Sequence, residues 1–235
     1  MDYIIEGFKQ AFYIILHFDS EFTQIVLRSL FVSVTATIIA SAASVPLFMF
    51  LGLNKFKGES IVSRLLNTFM STPSVIVGLV VMLLLARRGP FGYLDLLYSV
   101  KAMIIAQVIL IFPLISAMTY ELAKQSGRSV KGLAQTLGAG KLQAAALAII
   151  ELKHIIFIYV ITAFSRAISE VGAVMMVGGN ITGLTNVMTT TISRYNSMGE
   201  YELAIALGII LLLISCVINW TAYSIKEMGI KYGGN

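Results

Sequence analysis

An all-α integral membrane fold, a polytopic bundle of about five spanning helices behind an N-terminal amphipathic helix, is what this sequence predicts. The first reason is composition: of 235 residues, 57% are hydrophobic and only 12% charged, and the mean hydropathy is +0.86. A soluble domain of ordinary composition carries about 25% charged residues. The second reason is pattern, because several uncharged runs reach the roughly 20 residues that a helix needs to cross a bilayer. Such runs must be helical, since in lipid each segment has to satisfy its own backbone N–H and C=O groups.

The segment "DYIIEGFKQAFYIILHF" comes first. Ile4, Ile5, Phe8, Phe12, Ile15 and Leu16 recur at helical spacing and share one face. Glu6 and Lys9 interrupt the apolar character, and Asp2 stands where a secretory signal would be basic. The segment 1–22 is therefore expected to be an interfacial amphipathic helix rather than a cleaved signal, with a sixth short span as the other reading. The uncharged runs then cover 29–54, 65–86, 102–120, 154–177 and 203–225, and the fourth is interrupted by Arg166 and Glu170. Pro46, Pro73 and Pro113 fall inside runs, where membrane helices tolerate kinks. The short turn "LNKFKGES" (53–60) joins the first two runs as an antiparallel hairpin. Residues 24–225 read as one membrane domain and 226–235 as a tail.

Basic residues orient the bundle. Ten fall on one side: Lys55, Lys57, Arg64, Lys124, Arg128, Lys131, Lys141, Lys153, Lys226 and Lys231. Six fall on the other: Lys9, Arg28, Arg87, Arg88, Lys101 and Arg194. The first side is expected in the cytoplasm, with the N-terminus outside, although "ARRGP" after the second run pulls the other way. Basic cytoplasmic loops account for the net charge of +5 without a nucleic-acid partner. Cys216 is alone, so there is no disulfide framework and no paired-cysteine metal motif. His17 and His154 lie far apart in sequence and read as interfacial side chains rather than metal ligands. Nucleophile elbows, phosphate-binding loops and dinucleotide fingerprints are absent, so the chain is not expected to be an enzyme or to hold a cofactor.

The longest polar connection, "AKQSGRSVKGLAQTLGAGKLQAAALAIIELKH" (123–154), is too long for a turn. Val130, Leu133 and Leu137 share a helical face, "GAG" (138–140) breaks the helix, and a second helix begins at Lys141. A short basic helix, a glycine corner and another helix suit docking into a partner's groove. An ordinary solvated loop fits the same pattern.

Within it, "GLAQTLGAGKLQAAALAII" resembles the cytoplasmic coupling loop (here 124–153) of ABC importer permeases of the type I fold. Their pattern is Glu-Ala-Ala, three residues and Gly, then a nine-residue spacer and Ile-x-Leu-Pro. Ala134, Thr136, Leu137 and Gly138 match it; Gly132 stands in place of Glu, Leu133 in place of Ala and Glu151 in place of Pro. "SRAISEVGAVMMVGG" (165–179) is similar to the segment that follows this loop in molybdate, tungstate and sulfate permeases. "VGGNITGLTNVMTTTI" (177–192) looks most like the tungstate-specific branch, and "STPSVIVGLVV" (71–81) resembles the pathway-lining helix of the same group. The resemblance spans about Gln24 to Tyr223. It implies a permease subunit in a prokaryotic cell membrane, importing a tetrahedral oxyanion: tungstate first, with molybdate and sulfate as the other members of the group. It also implies three partners: a second copy of the chain, a cytoplasmic ATPase dimer that binds ATP and Mg, and an extracytoplasmic oxyanion-binding protein.

Arg166 and Glu170 are the chemically conspicuous residues. On a continuous helix an i, i+4 pair shares a face, and burying either charge alone would cost several kcal/mol. One reading is a fixed ion pair holding helices together. In the other, Arg166 is a gate or a transient contact for a passing dianion, and Glu170 keeps it from becoming a trap. Ser71, Thr72, Ser74, Asn180 and Thr182 are candidate hydrogen-bond donors along the pathway, although the segment 182–196 fits a solvated external loop equally well. Two other classes stay open at this level. A secondary anion transporter would use Arg166 and Glu170 for binding and proton coupling without an ATPase, and a membrane scaffold would transport nothing.

Overall fold

The computed structural model of the chain describes residues 2–17 and 20–232, and all regular structure among them is helical. Ten α-helices follow in order: α1 (Asp2–His17), α2 (Ser20–Leu53), α3 (Glu59–Met70), α4 (Ser74–Leu85), α5 (Val100–Leu122), α6 (Arg128–Thr136), α7 (Lys141–Ile168), α8 (Gly172–Gly178), α9 (Met188–Met198) and α10 (Tyr201–Tyr232). Four helical segments, Ser20–Leu53, Val100–Thr136, Lys141–Ile168 and Tyr201–Thr221, are long and apolar enough to cross a membrane. The broken pair α3–α4 makes a fifth span if it is taken as one crossing.

Two of the expected runs are divided. The second run, 65–86, breaks at Ser71–Pro73, where Pro73 caps α4 with φ −60° and ψ 131°. Proline lacks the N–H that would continue α3 and pushes the residue before it out of the helical region. Pro46 and Pro113, by contrast, sit inside α2 and α5. The fourth run, 154–177, also divides, because α7 stops at Ile168 and α8 begins at Gly172. Side chains take up the carbonyls that a helix end leaves free. Ser169 Oγ donates to Ser165 O (2.9 Å) and Arg166 O (3.1 Å), Gln107 Nε2 donates to Ala167 O at 2.9 Å, and Thr189 Oγ1 donates to Glu170 O at 2.8 Å.

The chain packs as two compact units. The first comprises residues 1–36, 73–107 and 165–218; the second comprises 37–72, 108–164 and 219–235. In the first, Val32, Val81, Leu85, Met103, Ala173, Val174 and Val177 form the core. Helices α4 and α8 touch through small residues there, since a Cβ on Gly78 would lie 2.7 Å from Ala173 Cα. Helix α1 belongs to the same unit and packs on α10, where a Cβ on Gly7 would come within 2.5 Å of Ile205 Cγ2. Ala11 and Ile14 are buried, while Ile4, Ile5, Phe8 and Phe12, the face read as apolar, stay exposed. That outward apolar face suits a lipid boundary, as an amphipathic helix requires.

In the second unit the core gathers Met49, Leu53, Leu122, Ala123, Ala148, Leu152 and Ile156. Phe48 adds edge-to-face contacts with Phe112 and Tyr120 at centroid distances of 6.0 and 6.5 Å. The turn "LNKFKGES" falls where the sequence places it, between the end of α2 and the start of α3, with Gly58 at φ +108°. Helix α10 runs through Lys226 to Tyr232, so the segment read as a tail begins as helix. Residues 233–235 of that tail, and Phe18 and Asp19 in the segment read as 1–22, lie outside the described residues.

Candidate functional site

The long polar connection 123–154 is built on a break in hydrogen-bond register. Helix α5 passes through a π-turn at Ala123–Gly127 into α6 without leaving the helical path. Helix α6 then has two faces. Gly127 and Ala134 are buried, with Arg128, Val130 and Lys131 partly so, while Leu133 and Leu137 are 65% and 81% exposed. Its C-terminus is a Schellman turn: Gly138 N–H bonds to Gln135 O (3.1 Å) and Ala139 N–H to Ala134 O (3.0 Å). Gly138 holds φ +92°, a conformation that costs an L-residue with a Cβ but not glycine. Thr136 Oγ1 closes the last turn on Leu133 O at 2.7 Å. Gln143 Oε1 accepts from Gly140 N–H at 3.0 Å and so starts α7. The corner leaves Leu142 88% exposed. Beside it lies an open groove of about 520 Å³ lined by Val130, Leu133, Ala134, Leu137, Gly138, Ala139, Leu147 and Glu151.

The expected pairing of Arg166 with Glu170 is not what the fold makes. The turn at Ser169 ends the helical register that would have set them one above the other, and no ion pair joins them among the described residues. Glu170 is buried, 6% exposed, and its Oε1 accepts from Ala173 N–H at 3.1 Å, capping the first turn of α8. Arg166 is exposed in the last turn of α7.

The polar candidates divide between the two units. Ser71 and Thr72 belong to the second, and Ser71 Oγ donates to Asn67 O in the turn before it at 3.1 Å. Ser74, Arg166, Glu170, Asn180 and Thr182 belong to the first. A Cβ on Gly172 would lie 3.3 Å from Ser74 Oγ and 3.5 Å from Glu170 Oε1, so hydroxyl and carboxylate flank one glycine. Asn180 stands at φ +49°, and its Nδ2 donates to Thr190 O at 3.1 Å. Thr182 Oγ1 accepts from Arg194 Nη1.

Of the segment 182–196, read as either donor-rich or a solvated external loop, residues 182–184 and 196 are exposed while 185–191 are buried and held by hydrogen bonds. Thr185 Oγ1 donates to Gly178 O (2.6 Å) and accepts from Ile181 N–H (2.9 Å). Asn186 Oδ1 accepts from Gly183 N–H at 3.1 Å, and Ser29 Oγ on α2 accepts from Met188 N–H at 2.8 Å. Arg28, which the sequence reading used only for charge counting, ties this segment to α2. Its Nη1 donates to Asn186 O (2.9 Å) and to Asn186 Oδ1, and its Nη2 donates to Gly183 O (2.7 Å). The second unit holds a similar clamp that the sequence reading missed, Arg128 with Glu59. In both cases the only sequence signal is an arginine at the edge of an apolar run, where a charge needs partners.

Residues 44–226 match the family described as binding-protein-dependent transport system inner membrane component. The chain is 54% identical to the tungstate uptake system permease protein TupB of Peptoclostridium acidaminophilum, over 97% of this chain and 100% of that protein. It is 37% identical to a probable anion ABC transporter permease protein of Haloferax volcanii, over 81% of this chain and 84% of that one. Identity to TupB of Campylobacter jejuni is 32%, over 97% of this chain and 95% of the relative.

Proposed function

The chain belongs to the family of binding-protein-dependent transport system inner membrane components, and from that premise we propose that it is the permease subunit of an ABC importer carrying a tetrahedral oxyanion, tungstate, into the cytoplasm. The observation that carries this reading is the 54% identity along the whole length of a tungstate uptake permease. The chain is a multi-pass membrane protein and does no chemistry of its own in this reading. A cytoplasmic ATPase dimer binds ATP and Mg, a second copy of the chain completes the pathway, and an extracytoplasmic protein delivers the anion. The N-terminus lies outside and the α6–α7 corner in the cytoplasm.

In the proposed cycle the exposed Leu133, Leu137 and Leu142 insert into a groove on the ATPase, held in position by the turn at Ala134, Thr136 and Gly138. ATP-driven closure of the ATPase dimer moves the corner and, with it, the helices. The delivery protein, loaded with anion, must favour the same outward-open state for transport to be coupled. Arg166 makes a transient contact for the passing dianion. An arginine left facing lipid would cost several kcal/mol, so its exposure on this chain favours a polar pathway as its surroundings. The contact has to be weak, because the ligand must also leave. Ser74, and Ser71 and Thr72 at the break before α4, supply hydroxyl donors. Asn180 and Thr182 act indirectly, by holding the segment around them. Glu170, tied down by the first turn of α8, keeps a negative charge near a path that would otherwise hold an anion too tightly.

The test is ATPase stimulation by the complex reconstituted in vesicles. Delivery protein loaded with tungstate or molybdate should stimulate hydrolysis, because hydroxyls and amides distinguish poorly between two anions of nearly equal size and charge. Stimulation by a delivery protein for amino acids or metal cations, and none by an oxyanion-loaded one, would overturn the substrate. Uptake without any co-purifying ATPase would identify a secondary transporter instead.

A further inference from the structure

Behind the coupling corner, one guanidinium joins three elements of the second unit. Arg128 Nε donates to Gly52 O at 2.7 Å and its Nη2 donates to Asn54 O at 2.9 Å. Its other edge meets the Glu59 carboxylate bidentately, Nη1 to Oε2 at 3.0 Å and Nη2 to Oε1 at 2.9 Å. Lys131, nearly one turn further along α6, donates to Leu53 O (3.2 Å) and Asn54 Oδ1 (3.0 Å). The last carbonyls of α2, which no helical N–H can reach, are thus taken up by two cations of α6. The same arginine holds the first residue of α3. Glu59 Oε1 also accepts from Phe56 N–H at 3.1 Å, which fixes the turn between α2 and α3.

Backbone packing leaves this clamp little play. A Cβ on Gly52 would lie 2.6 Å from Ala123 Cβ and 2.8 Å from Tyr120 O, and one on Gly127 would lie 2.8 Å from Leu53 Cδ2. Ser63 Oγ adds a bond to Glu121 Oε1 at 2.6 Å, from α3 to α5. The π-turn sets the rotation of α6 so that Arg128 and Lys131 face this cluster while Leu133 and Leu137 point away from it.

We propose that Arg128 is the positioning residue that transmits motion of the coupling corner to α2 and α3. A planar fork that bonds carbonyls on one edge and a carboxylate on the other suits this task, and a lysine supplies the charge without the fork. Displacing α6 displaces the end of α2 and the start of α3 together. Helix α3 then leads along the chain into the Ser71–Pro73 break ahead of α4. Without the clamp, the ATPase still docks on Leu133 and Leu137, but hydrolysis is no longer matched by transport. This inference rests on the importer reading above.

The experiment measures oxyanion uptake and ATP hydrolysis together in vesicles carrying the permease–ATPase complex and its loaded delivery protein. Arg128→Gln should leave ATPase co-purification unchanged and lower uptake per ATP hydrolysed roughly tenfold. Arg128→Lys, which keeps the charge but loses the fork, should recover only part of that ratio. Glu59→Gln, which leaves the bonds to Gly52 and Asn54 in place, should lower it by a smaller factor and decides the matter if Arg128→Gln does not assemble. An unchanged ratio in the assembled variants, even with less complex in the membrane, overturns the proposal and leaves a purely structural clamp. Failure of the wild-type complex to take up any oxyanion would instead overturn the importer reading.

Discussion

Gly138 shows how one residue sets the geometry of the corner between α6 and α7. Nothing lies within 4 Å of where its Cβ would be, yet its φ is +92°, so a substitution there is opposed by backbone strain rather than by crowding. Gly138→Val should cost about 1–2 kcal/mol at the corner and weaken recovery of the ATPase with the permease. Gly138→Asn, which tolerates the left-handed region, should retain most of it; equal recovery with both would remove the turn from the docking argument. Arg166 and Glu170 can be separated in the same way. Because Glu170 caps α8 and bonds to Ala173 N–H, Glu170→Ala should destabilise the protein by about 1 kcal/mol. Arg166→Gln should leave stability near wild type while abolishing uptake. A double-mutant cycle in thermal unfolding should give a coupling energy below about 0.5 kcal/mol, as for residues that do not touch. A larger coupling would restore the ion pair that this fold does not make.

Among elements, the contact between α4 and α8 depends on the absence of side chains. At Gly78 an added Cβ meets Ala173 backbone at 2.7 Å, which neither helix can relieve without moving. Gly78→Val should therefore lower stability by about 1–3 kcal/mol and reduce the midpoint of thermal unfolding in detergent. Gly132, with nothing within 4 Å of its Cβ position, makes the control. On the exposed face of α6, Gly132→Ala should add about 0.5–1 kcal/mol through helix propensity alone. The clamp from α2 makes a second prediction. Arg28 bonds Gly183 and Asn186, so Arg28→Ala should speed amide hydrogen exchange across residues 181–187 while α9 exchanges as before. Unchanged exchange would mean that the buried Thr185 and Asn186 bonds hold the segment alone.

For the molecule as a whole, the basic-residue bias predicts which side faces the cytoplasm. Single cysteines in a Cys216→Ser background, treated with an impermeant thiol reagent in intact cells, read it directly. Cysteines replacing Arg88 and Leu184, both exposed, should label from outside, and one replacing Gly138 only after permeabilisation. Asn186 would be a poor reporter despite its place in the same segment, because it is 1% exposed. Labelling of position 138 in intact cells would invert the orientation.

Membrane residence, the helical class and the approximate position of each span were determined by the sequence alone, because transfer into lipid is a sum over consecutive residues and needs no partner. The corner at Gly138 was legible for a similar reason, since a glycine after a helical stretch of leucines and lysines is a local signal. Which residues meet was decided by the tertiary structure. Periodicity placed Arg166 above Glu170, but Ser169, Gln107 and Thr189 take up the carbonyls where α7 stops, and two of those lie far away in the chain. Hydropathy ran through Pro73 as one span and through Ile168 as another, since it registers apolarity and not an interrupted hydrogen-bond ladder. Likewise, the bulky face of α1 was legible as apolar, but its small residues Gly7 and Ala11 are the buried ones, Gly7 against Ile205 of α10. The pairs Arg128–Glu59 and Arg28–Asn186 bridge 69 and 158 positions. A charge at the edge of a span announces that it needs a partner, but only folding brings that partner within hydrogen-bond distance.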